Sequence, residues 1–155
     1  METAEFKVRP IGRVKCAVTE MSQGGWANVD SEIHLDSRYA GGLQGLEGFS
    51  HVIVMFFLDR AQGFDPARQL LRRPRGMEDM HEVGVFAQRT KYRPNPIGVT
   101  AVQLLGIAGN VVKVRGLDAM DDTPVLDIKP YMPSFDRVED VRMPPWVAHV
   151  MEGYF

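Results

Sequence analysis

Cysteine is all but missing. Cys16 is the only one among 155 residues, so no intrachain disulfide forms and the chain suits a reducing compartment. Long apolar runs are missing too: the longest, Val52 to Leu58, is closed by His51 and Asp59, far short of the ~20 residues a membrane-spanning helix needs. The opening residues Met1-Glu2-Thr3-Ala4-Glu5 carry acids where a secretory signal would carry bases followed by an apolar core. Histidine is sparse. His34, His51, His81 and His149 stand apart, without the His-x-x-x-His or Cys-x-x-Cys spacing of a zinc site. There is no GxxxxGK[ST] phosphate loop, and the glycine-rich stretch from Gly41 to Gly48 lacks the preceding strand and long following helix of a dinucleotide fingerprint. Ser50 precedes His51, but neighbours on a strand point to opposite faces, so they are not expected to act as nucleophile and base. These absences imply a single domain over residues 1–155, cytoplasmic, with no metal and no membrane partner.

Apolar residues make up 45% of the chain and charged residues 25%, the composition of an ordinary globular domain. Net charge is −2, too low for a general nucleic-acid binder, but the charge is unevenly spread. Between Arg60 and Arg93 eight basic residues face four acidic ones, giving +4 there and −6 over the rest. A local basic patch on an acidic body suits a polyanion gripped at one face; a solvated arginine-rich surface would look the same in sequence.

Strand signals dominate. Runs at Phe6–Val14, Ile33–Leu35, Val52–Leu58, Val83–Ala87, Ile97–Ile107, Val111–Leu117 and Val125–Ile128 are short, apolar and mostly alternating. Gly109-Asn110 between two of them is a hairpin turn signal. Helix signals are few: Asp65-Pro66 opens one to about Arg72, and Pro144-Pro145 opens another ending near Gly153 with Trp146 and Val150 inward. Seven strands with little helix predict a mostly β fold, an antiparallel sheet curled into a barrel.

Two polar clusters remain. In Gln88-Arg89-Thr90-Lys91-Tyr92-Arg93-Pro94-Asn95-Pro96 two prolines fix φ and push Arg93 and Asn95 into extended conformations. A stiff loop carrying arginines suits side chains held to tight placement. In the second cluster Asp127, Lys129 and Tyr131 stand at i, i+2 and i+4, so an extended chain projects them from one face, with Val125 continuing the row. Buried together, a carboxylate, an ammonium and a phenol would perturb one another's pKa, as functional groups do; exposed on an edge strand, the pair would contribute little.

The runs Gly84-Val85-Phe86-Ala87, Arg89, Arg93-Pro94-Asn95-Pro96-Ile97-Gly98 and Thr123-Pro124-Val125-Leu126-Asp127-Ile128-Lys129-Pro130-Tyr131 resemble the two hallmark motifs of the TsaA-like methyltransferases. Pro10-Ile11-Gly12, Gly45 to His51 and Arg73-Pro74-Arg75-Gly76 match as well, so the resemblance spans roughly Arg9 to Phe135. It implies a single-sheeted antiparallel β-barrel, not a Rossmann fold, a homodimer, S-adenosyl-L-methionine as cofactor, and a tRNA substrate methylated at N6 of threonylcarbamoyladenosine beside the anticodon. Two other functions stay open: a methyltransferase using the same cofactor on another RNA or a small molecule, and a noncatalytic RNA-binding barrel.

Carried over position by position, the resemblance assigns cofactor contacts to Gln23 and Gly24, to Asp59 and Arg60, to Arg89 or Arg93, and to Asp118, Ala119, Met120, Asp121 and Asp122. The chain departs from the family pattern around these places: the early loop has lost its arginine, Asp59-Arg60 stands where some members have His-Gln, Gln88 replaces a threonine, and Asp122 replaces a glycine. For the chemistry, Asp127 is the candidate base or the electrostatic partner of a sulfonium, with Lys129 tuning its charge, Tyr131 positioning and Arg93 gripping the acceptor. Arg68, Arg72, Arg73, Arg75 and Lys91 are the candidate nucleic-acid contacts.

Overall fold

The computed structural model describes residues 4–22, 24–61 and 63–155. Six strands close into one antiparallel barrel: β1 (Gly12–Lys15), β2 (Asp30–Leu35), β3 (His51–Phe57), β6 (Ile97–Ala108), β7 (Val111–Arg115) and β8 (Pro124–Pro130), in the order β1-β2-β7-β6-β3-β8. A two-stranded ribbon of β4 (Leu71–Arg72) and β5 (Val83–Gly84) stands apart from it. Among the described residues there are three short α-helices, α1 (Pro66–Gln69), α2 (Pro133–Asp136) and α3 (Trp146–Val150), besides short 3-10 segments. The expected mostly β, barrel-closed architecture is therefore present.

Alternation builds the core. Val52, Val54 and Phe56 of β3 point inward beside Val102 of β6, Val112 and Val114 of β7, Ile33 of β2 and Val14 of β1, all essentially buried. Such β-branched and aromatic side chains suit a pleated, closely packed interior. Phe56 lies opposite Gly98, and a Cβ there would stand 2.3 Å from the ring. Glycine at that point is thus a matter of volume.

The structure corrects several element boundaries. The alternating run from Phe6 yields a strand only from Gly12, where the register with β2 and β8 begins, one residue after Ile11, whose backbone already bonds Val125 and Asp36; Phe6 is 88% exposed. Val83–Ala87 is a strand for two residues and then turns into a short 3-10 segment, Val85–Ala87. The first helix stops at Gln69 because Leu71 joins the β4–β5 ribbon; Asp65 caps it as expected, its carboxylate accepting the Ala67 N–H at 3.0 Å.

The row containing Asp127 is also corrected. Met55 pairs with Asp127 but Phe56 pairs with Val125, a bulge that leaves Leu126 as the extra residue. The bulge reverses the alternation. Val125 and Ile128 pack against the core, while Asp127 and Lys129 lie on the outer face beside Met55 and Ile53.

Candidate active site

The loop from Asp118 to Asp122, between β7 and β8, is where distant segments meet. Leu117 and Ala119 are buried in the core and anchor it. The Asp121 and Asp122 amides donate to the Val18 and Val14 carbonyls at 2.7 and 2.8 Å, and the Cys16 amide donates to the Asp121 carboxylate at 3.1 Å. Asp122 stands at φ 68, a left-handed backbone that aspartate tolerates better than most residues but glycine adopts freely. Its carboxylate is engaged by Arg13 at 3.3 Å and Lys15 at 3.4 Å.

Arg60, just past β3, reaches this loop. Its guanidinium donates to the Asp121 carbonyl at 2.9 Å and to the Met120 sulfur at 3.4 Å. Asp59 is half-buried in the same turn. From β6, Thr100 donates its hydroxyl to one oxygen of the Asp118 carboxylate at 2.5 Å. Tyr154 donates to the other, also at 2.5 Å. Burial, then the adjacent Asp118 charge, push the Tyr154 hydroxyl pKa well above its ordinary value, with Arg75 and Arg89 opposing. Arg89 hydrogen-bonds the Val99 carbonyl at 2.5 Å, next to Thr100. The early loop arrives by its backbone: the Gly25 and Trp26 amides donate to the Gly153 and Tyr154 carbonyls at 3.0 and 3.1 Å. Gln23 lies outside the described residues.

The structure therefore ties Arg60 directly to the 118–122 loop, brings Arg89 to the Val99 carbonyl beside the Thr100 that holds Asp118, and joins the stretch after Gly24 to the backbone of Tyr154, the other residue that holds Asp118. That donor set fits a zwitterionic ligand with an extra positive charge: exposed arginines complement its carboxylate, and Asp59, Asp118 and Asp121 complement its cationic groups. Sequence reasoning missed Thr100 and Tyr154. Thr100 sits in an ordinary strand alternation, and only the fold carries Tyr154 across 36 residues of chain to Asp118.

The other expected residues lie elsewhere. Lys129 Nζ is 2.8 Å from Asp127 Oδ2, with side chains 60% and 44% exposed, and the carboxylate contact raises the Lys129 pKa. The pair faces solvent, so the burial that would have linked three groups is not there. Tyr131 makes an edge contact with the His51 ring, centroids 6.5 Å apart. Ser50 and His51 do meet, Oγ to Nδ1 at 2.8 Å; β3 begins only at His51, so the opposite-faces rule does not govern Ser50.

Arg93 is turned onto its own loop, donating to the Gln88 and Thr90 carbonyls at 3.0 and 3.1 Å. Gln88 in turn donates to the Arg72 and Val83 carbonyls at 3.1 Å each, which ties the proline-stiffened loop to the β4–β5 ribbon. Arg93 also lines a hollow of about 210 Å³ with Phe57, Phe64, Pro94 and Pro96. Among the basic residues, Arg72 and Lys91 both lie over the Tyr92 ring, at 4.1 and 5.1 Å from its centroid, and Lys91 also contacts the Met21 sulfur. Arg68 is exposed beside Asp65 at 3.6 Å, and Arg73 donates to the Glu78 carbonyl at 3.0 Å. Arg75 donates to the Val150 carbonyl at 2.7 Å.

The family model of the tRNA-methyltransferase O N-terminal domain matches residues 20–137. A "Probable S-adenosyl-L-methionine-binding protein" of Methanothermobacter thermautotrophicus is 40% identical over 143 residues, covering 89% of this chain and 98% of its own length. The "tRNA (adenine(37)-N6)-methyltransferase" of Escherichia coli K12 is 36% identical over 121 residues, 73% of this chain and 50% of that protein. A crystal structure of TrmO from P. aeruginosa superposes with a TM-score of 0.75 at 31% identity, over 93% of this chain and 62% of that one. The chain thus spans nearly all of the archaeal relative but only about half of the Escherichia coli enzyme.

Proposed function

The chain belongs to the tRNA-methyltransferase O N-terminal domain family, and from that premise we propose that it transfers a methyl group from S-adenosyl-L-methionine to N6 of threonylcarbamoyladenosine next to the tRNA anticodon. The observation that carries this reading is that Arg60 bonds the 118–122 loop, and that Thr100 and Tyr154, which share the Asp118 carboxylate, connect that loop to Arg89 through Val99 and to the early loop through the Gly25 and Trp26 amides. The early loop, Arg60, Arg89 and the 118–122 loop are the segments at which the sequence resemblance places cofactor contacts, and they are far apart in sequence.

When bound, the cofactor supplies an already activated methyl group on positively charged sulfur. The protein's task is then alignment and proton handling. Arg60 keeps the 118–122 loop in place through the Asp121 carbonyl, and the exposed face of Arg89 is available to a carboxylate. The acceptor nitrogen is urea-like, with a delocalised lone pair, so its proton has to leave as the new bond forms. Asp127 is the carboxylate assigned to take that proton. Lys129 Nζ lies 2.8 Å from its Oδ2, and the Ile128 amide donates to its Oδ1 at 2.9 Å. Tyr131, next but one to Lys129, and Arg93 are assigned to orient the acceptor. Arg68, Arg72, Arg73 and Lys91 are assigned to the tRNA backbone, where charge neutralisation makes affinity fall with salt. A homodimer belongs to the same proposal. The outer row Ile53, Met55 and Phe57 pairs with Ala101, Val99 and Ile97, an apolar strip of the kind a second copy covers.

The test is mass spectrometry of tRNA nucleosides from a strain lacking this chain, beside calorimetry with the purified protein. Loss of the N6-methylated nucleoside together with measurable cofactor binding is the expected result; an unchanged tRNA nucleoside profile would point to another acceptor. Asp127→Asn is expected to abolish turnover while leaving cofactor affinity nearly intact. Near-normal methylation by that variant would remove Asp127 from the chemistry.

A further inference from the structure

Residues 146–155 lie outside the stretch that the family model matches, which stops at residue 137, yet they are tied to the early loop, to Asp118 and to Arg75. The Gly153 and Tyr154 carbonyls accept the Gly25 and Trp26 amides at 3.0 and 3.1 Å. The Tyr154 hydroxyl donates to Asp118 Oδ2 at 2.5 Å. Arg75, held at φ 52, donates to the Val150 and Glu152 carbonyls at 2.7 and 3.4 Å, and its guanidinium lies 5.7 Å from the Tyr154 ring centroid. The fit against the early loop is tight: a Cβ on Gly24 would stand 2.2 Å from the Gly153 oxygen, so only glycine allows the two backbones to meet. Val150 is buried and fixes α3 against the body.

We infer that this segment is a wall of the methyl-donor site and that Tyr154 is a positioning residue for Asp118. The inference rests on the donor reading above. Thr100 holds one oxygen of the Asp118 carboxylate and Tyr154 the other, so the side chain and the loop behind it are ordered before a ligand arrives. Ordering in advance removes a cost that binding would otherwise carry. Reciprocity follows. If docking of the segment favours the donor, the donor favours docking by the same factor.

Tyr154→Phe keeps the ring and removes only the hydroxyl bond. Measured by calorimetry, its Kd for S-adenosyl-L-methionine is expected to rise about tenfold over the parent, the loss of one hydrogen bond to a charged group. The second readout is amide exchange at Gly25 and Trp26 in the unaltered protein. Saturating S-adenosyl-L-methionine is expected to slow both, since their acceptors are the Gly153 and Tyr154 carbonyls. An unchanged Kd in Tyr154→Phe, or exchange at those amides that stays constant or quickens on adding the donor, overturns the inference and leaves the donor reading standing. Absence of any binding by the unaltered protein overturns the donor reading, and this inference with it. Should the variant fail to fold, the exchange measurement decides alone.

Discussion

The two sides of the barrel wall have the same kind of interior and opposite exteriors. On the β2–β7 side, Asp30 pairs with Arg115 at 2.6 Å, and Glu32 meets His34 at 2.7 Å and Lys113 at 3.7 Å. These charges are half-exposed, and their hydrogen-bonded partners hold the Asp30 and Glu32 carboxyls below their ordinary pKa. On the β3–β6 side the outward positions are Ile53, Met55, Phe57, Ile97 and Val99, the last two each 38% exposed. Both sides bury valines inward. Inward residues decide whether a barrel closes, while outward residues decide what the closed barrel offers: charge paired in water on one side, and on the other the apolar strip that the proposed second copy would cover.

Changes to the inward face carry the largest expected effects. Phe56→Ala is expected to cost about 3–5 kcal/mol in urea unfolding, from the lost ring and the void left over Gly98. Gly98→Ala attacks the same contact from the other strand by overpacking, at about 1–3 kcal/mol. If neither variant is destabilised, the apolar side is not packed as described.

Outside, the two walls should respond differently to a charge change. Val99→Asp is expected to halve the mass seen by light scattering, whereas Lys113→Gln on the charged wall leaves it unchanged. A dimer that survives Val99→Asp would place the partner elsewhere.

The smallest effect is on the acid limb. The Glu32 carboxyl is shifted down from 4.5 by the His34 hydrogen bond first and by Lys113 after it. A lowered folded-state pKa contributes stability that is complete above the unfolded value and disappears as pH falls through the folded one. Stability measured from pH 5 downward should therefore fall less steeply in Glu32→Gln than in the parent, by a small margin because the group is exposed to solvent. Equal slopes would mean that the pair contributes nothing.

Some of this was plain from the residues. The β6–β7 hairpin follows from two alternating runs around Gly109-Asn110, with Gly109 at φ 61, and β3 from a run apolar on both faces. The placement of Asp127 was not plain, since an alternating row says nothing about an inserted residue, and the bulge at Leu126 changes which neighbours Asp127 keeps. The run from Phe6 illustrates the same limit. Alternation marks a segment able to pair, and the chain meets partner backbone only from Ile11 and Gly12 onward.

For the site, the motifs located the 118–122 loop, Arg60 and Arg89, but not the Thr100 and Tyr154 hydroxyls that hold Asp118. Composition, periodicity and turn residues, being local, determined a β-rich chain with few helices and two stiff polar loops. Which carboxylate is shared by Thr100 and Tyr154 and which ion pair faces water was decided only by barrel closure. Closure sets the register of strands distant in the chain, and that register, not any short stretch of residues, sets the distances on which the chemistry depends.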